Sequence, residues 1–74
     1  MFAIQVTDYR KGDGYVVAFG KKSPRARSIN LRIATELSCA MLFGTRIEAD
    51  AMMQRINNTF IDASFELDVI EMGV

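Results

Sequence analysis

The sequence predicts an α+β fold: one small domain over 1–74, with an antiparallel sheet of about four strands and one helix packed on a single face. Three observations predict it. Apolar and polar residues alternate near both ends of the chain, a turn-rich segment separates two β-forming runs in the first third, and a capping pattern precedes an amphipathic stretch in the second half.

Phe2, Ile4 and Val6 alternate with Ala3, Gln5 and Thr7, the period of a half-buried strand. Asp8 to Gly14 is rich in turn formers, and the Asp13-Gly14 pair suggests a positive φ at a tight reversal. Tyr15-Val16-Val17-Ala18-Phe19 then reads as a second strand, so the two form a hairpin. A loop follows at 21–28, basic and holding the one proline, Pro24.

Ile29, Leu31 and Ile33 alternate with Asn30 and Arg32, which favours a third strand over 29–33. Ile29, Ile33, Leu37 and Met41 also fall at i, i+4 spacing, so a helix within 29–43 stays open. A short extended piece is expected at Ala40-Met41-Leu42-Phe43. Thr45-Arg46-Ile47-Glu48 fits a capping box, with Thr45 accepting from the third helical amide and Glu48 reaching back. Behind it Ala49, Met52, Met53, Ile56 and Phe60 share one side at about 100° per residue. This predicts a helix over about 45–58, closed by Asn57-Asn58, with Ile47 and Ala51 on the far side. Phe65, Leu67 and Val69 alternate with Glu66 and Asp68 as a last strand. Ile70 and Met72 break that parity, which suggests a bulge or a partner-covered end. The expected core is Phe2, Ile4, Val6, Val17, Phe19, Met52, Ile56, Leu67 and Val69, with Cys39 as a small core residue.

Half of the residues are hydrophobic and 24% are charged, the balance of a globular chain. There is no histidine and one cysteine. Ser-His-Asp and Cys-His catalysis, and zinc sites of the Cys and His types, therefore cannot be assembled from one chain. Gly12-Asp13-Gly14 lacks the spacing of a phosphate-cradling loop. Asp62, Glu66, Asp68 and Glu71 cluster near the C-terminus, a pattern better explained by a solvated strand face than by a carboxylate site. The expectation is a protein that is not an enzyme and carries no cofactor and no metal. No apolar run approaches the roughly 18 residues of a membrane span, and the N-terminus has no signal-peptide pattern. With one cysteine, a cytoplasmic location is expected.

The nine Lys/Arg and nine Asp/Glu cancel, but they are not mixed. Residues 1–34 hold seven bases and two acids, and 35–74 hold two bases and seven acids. The candidate partner-binding residues are Tyr9, Arg10 and Lys11 at the hairpin tip, and Lys21, Lys22, Arg25, Arg27 and Arg32 in and beside the basic loop. Tyr and Arg dominate interface energetics where they are buried by a partner. Five neutralised phosphates would give a salt slope near about −4.5 on duplex DNA. An acidic protein patch would be steered by the same charges. A loop of this kind can also be merely solvated. The polarity itself suggests an oligomer in which the basic half of one copy meets the acidic half of another.

The run Ala40, Phe43, Thr45, Glu48 and Ala49 resembles an A-x-x-F-x-T-x-x-E-A segment of small phage and prophage accessory proteins, which place it between an N-terminal hairpin and a final strand. The resemblance covers most of the chain in layout, whereas the basic proline loop is not part of it. It implies a phage-derived protein that binds and modulates a host protein or protein–nucleic-acid complex in a bacterial cytoplasm. Some members of that class block bacterial defence, as anti-CRISPR proteins do. Many of those mimic nucleic acid through a strongly acidic surface, whereas this chain has no net charge. Direct nucleic-acid binding through the basic loop and structural self-assembly are the alternatives.

Overall fold

The computed structural model describes residues 1–8, 12–21, 25, 29–61 and 64–73. Its elements are β1 (Phe2–Asp8), β2 (Gly12–Lys21), β3 (Ile29–Ala34), a 3-10 turn at Leu37–Cys39, α1 (Arg46–Thr59) and β4 (Phe65–Glu71). The strands form one antiparallel sheet in the order β3-β2-β1-β4, and α1 packs on β4 and β1. The fold is α+β, a four-stranded sheet with one helix.

The β1–β2 hairpin forms as expected, with Gln5 opposite Tyr15 and Asp8 opposite Gly12. Its glycines do different work from that expected. Gly12, the first residue of β2, has the positive φ, +88°, and Asp13 and Gly14 follow it within the strand. Gly14 is required by space instead. A Cβ there would lie 2.6 Å from the Ile33 side chain and 3.0 Å from the Ala34 carbonyl oxygen.

Strict alternation through β2 also fails. The β2–β3 register shifts between Val16 and Ala18, so Val17 is the extra residue of a bulge. Val16 pairs with Ile33 and Phe19 with Leu31, which brings residues three apart onto one face. Val16 is therefore fully buried in the core where Val17 was expected. The opposite error occurs in β4. Its pairing with β1 runs unbroken from Phe65 to Glu71, so no bulge is present and Ile70 sits opposite Ala3 on the second face.

Residues 29–43 resolve into a strand and a 3-10 turn. From the end of β3 the chain crosses β2 and fills the gap where β2 diverges from β1. There the Met41 amide donates to the Val16 carbonyl at 2.9 Å. Phe43 and Phe2 exchange both backbone bonds, at 2.8 and 2.9 Å. This is the extended piece expected at 40–43, reduced to one bridge. Cys39, expected in the core, is exposed on the crossing segment.

Thr45 caps α1, its hydroxyl accepting from the Glu48 amide at 3.2 Å. The helix does not stop at Asn57-Asn58. It continues to Thr59, whose hydroxyl donates to the Arg55 carbonyl at 2.8 Å, and the Phe60 amide makes the last turn to Ile56 at 2.9 Å. Ile4, Val6, Val16, Phe43, Ala49 and Ile56 form the buried cluster, each large side chain contributing about 1.5–3 kcal/mol. Phe2, Phe19, Met52, Leu67 and Val69, also expected inside, pack half-buried around it. Ile47 is 81% exposed, on the side of α1 where periodicity placed it.

Candidate nucleic-acid or protein interface

Of the eight candidate contact residues, Tyr9, Arg10, Lys11, Lys22 and Arg27 lie outside the described residues. Lys21, Arg25 and Arg32 are described, and all three are exposed. Lys21 ends β2 opposite Ile29, and Arg32 stands in mid-β3 opposite Ala18. The pairing sets the two cations on opposite faces of the hairpin, Lys21 with Phe19, Ile29 and Leu31, and Arg32 with Ala18, Gly20 and Asn30. An open groove of about 550 Å³ at this end of the hairpin is lined by Ala18, Phe19, Gly20, Lys21, Asn30, Leu31 and Arg32. Phe19 and Leu31 share their face with Lys21, an apolar surface beside a cation that suits a partner with an apolar centre and an acidic margin.

In this arm, the outer part of the β2–β3 hairpin, Gly20 stands next to the end of β2. Its φ of +151° is rarely adopted by L side chains, although nothing stands within 4 Å of where a Cβ would be. Glycine is thus kept there by backbone geometry and not by crowding.

Sequence spacing did not single out Arg55 as a contact residue. Its guanidinium carbon lies 5.8 Å from the centre of the Phe19 ring, so a cation of α1 stands over one of the residues that line the groove. Phe19 in turn meets Phe60 edge-on at 6.2 Å, and Phe60 meets Phe65 at 6.1 Å. This chain of three rings ties the arm to the end of α1 and the start of β4. The sequence periodicity grouped Arg55 with Ile47 and Ala51 on the side away from the core stripe, and Arg55 is exposed. Which strand lay across from it could not be read locally.

The acids gather elsewhere. Glu66, Asp68 and Glu71 are exposed on β4, while Arg32 is the one charged residue of β3. The sheet order puts these two strands at opposite ends, about 14 Å apart at ordinary strand spacing. The charge polarity of the sequence has become a polarity in space. Pairing with β1 also divides the supposed carboxylate cluster, since Glu66 and Asp68 share one face and Glu71 lies on the other. Asp62 lies outside the described residues. Among the described residues, no group of three or more His, Cys, Asp or Glu could hold a metal, and no helix is long and apolar enough to cross a membrane. Comparison with protein-family models, curated proteins and solved structures gives no match to this chain.

Proposed function

We propose that this is a binding protein without catalytic chemistry, which attaches through the β2–β3 arm to an acidic surface of a macromolecular complex and modulates it. The observation that carries this reading is the groove at the end of the β2–β3 hairpin, lined by the apolar Phe19 and Leu31 and by the exposed cations Lys21 and Arg32. The charged rim would orient the partner, and burial of the two apolar side chains would supply the affinity. The layout shared with small phage accessory proteins supports a bacterial host complex as the target, with interference in defence as one form of modulation.

A pull-down from bacterial lysate with and without nuclease tests the proposal, run with the unaltered chain and with a Lys21→Glu/Arg25→Glu variant. A stoichiometric protein partner that survives nuclease and is lost with the variant is the expected result. Equal capture by both chains rejects the arm as the contact. Recovery of nucleic acid alone favours direct phosphate binding. In that case affinity falls about 10²- to 10³-fold between about 50 and 200 mM salt.

A further inference from the structure

The sheet ends on two strands of opposite charge, each with one edge to which no further strand is paired among the described residues. Such edges are templates for strand addition unless something prevents it. Here the charges discriminate between the ways of adding. Two β4 edges would set Glu66 and Asp68 against the same two acids, and two β3 edges would bring Arg32 to Arg32. A β3 edge against a β4 edge puts opposite charges together.

Strand direction agrees. In an antiparallel sheet ordered β3-β2-β1-β4, β3 and β4 run in opposite directions, so a second copy placed beside the first by translation continues the antiparallel pattern. The faces agree as well. On β4 the row Phe65, Leu67 and Val69 lies on the helix-bearing face, and on β3 the row Ile29, Leu31 and Ile33 lies on that same face. Because α1 packs on β4 and β1, the β3 row lacks a helix of its own, and Ile33 is 44% exposed. Only registers that keep odd residues opposite odd residues preserve this match, since a slip of one turns the apolar row toward the acids. Placing Leu31 opposite Leu67 pairs all three apolar residues and sets Arg32 opposite Glu66, with Asp68 diagonal to it.

We propose that this chain self-associates head to tail, the β3 edge of one copy adding to the β4 edge of the next to extend the sheet. The contact is heterologous, so each copy keeps one unused edge of each kind and growth does not stop at two. The helix over β4 of one copy then shelters the bare apolar row of its neighbour.

Sedimentation velocity over a range of concentrations at low salt tests this. The expected result is a weight-average mass that rises from the 8.3 kDa of one chain past that of two without a plateau. Glu66→Lys and Arg32→Glu should each weaken association about tenfold, since like charges directly opposite are unfavourable. The Arg32→Glu/Glu66→Lys double variant should recover it, which loss of folding would not allow. Lys21→Glu should leave it unchanged, so failure here and failure of the arm as a partner contact give different results. A monomer at every concentration, a plateau at two copies, or a double variant no better than the singles would overturn the proposal.

Discussion

On β1 and β4 the apolar row lies beneath α1, and Ile4 and Val6 are fully buried; on β3 the matching row has no helix above it, and Ile33 stays 44% exposed. Both rows have the same alternation of β-branched or leucine residues with polar ones. What separates them is the reach of a single helix of 14 residues, anchored at Thr45 and Phe60 and lying toward one end of the sheet. Burial fades across the sheet, from Ile4, Val6 and Val16, which are fully buried, to Ile33 at the β3 edge. The covered half supplies stability, and the bare half is free to meet something else.

The widest difference between the halves should come from truncating one isoleucine in each. Ile56→Ala empties a fully buried site and should cost about 2–5 kcal/mol in urea unfolding, whereas Ile33→Ala should cost less than about 1 kcal/mol. Comparable losses would mean that β3 is as much part of the core as β1. A smaller effect tests where the halves join. Gly14→Ala brings a Cβ within 2.6 Å of Ile33 and should destabilise by about 1–3 kcal/mol. In an Ile33→Ala background much of that loss should disappear, and a double-mutant cycle measures the difference.

Smaller again is the cap of the covering helix. Thr45→Ala removes the acceptor of the Glu48 amide and should cost about 1 kcal/mol by thermal unfolding. The weakest link is Arg55 over Phe19, which should show a coupling of about 0.5–1 kcal/mol in a cycle with Phe19→Leu. No coupling there would leave the arm tied to the body by the three phenylalanine rings alone.

How much of this was legible in the sequence follows from how local each cause is. The alternation at 2–7 and 65–69 and the Thr45 cap state their outcome within a few residues, and the strands and the helix stand where they were expected. The bulge at Val17 was not legible, because Val16, Val17, Ala18 and Phe19 are all acceptable in a strand and only the pairing with β3 decides which is extra. Gly14 was assigned to a turn from its Asp-Gly context, whereas its constraint comes from Ile33, nineteen residues away. Cys39 was placed inside because free cysteines usually are, but the segment carrying it must cross β2 on the outside. For the candidate site, charge along the chain identified Lys21 and Arg32 without showing that pairing sets them on opposite faces of the hairpin, and Arg55 met Phe19 only through tertiary packing.

The pairing of Phe2 with Glu71 has a consequence for the order of assembly. β2 and β3 are joined through the seven positions 22–28, so they meet at small entropic cost. β1 cannot meet β4 until nearly the whole chain has been gathered, with α1 already turned back across it. The two local pairs, β1–β2 and β2–β3, should then form first, and the β1–β4 pairing under α1 should close last. Substitutions at Leu31 should slow folding while those at Val69 mainly speed unfolding, a distinction that chevron kinetics of the two variants would read directly.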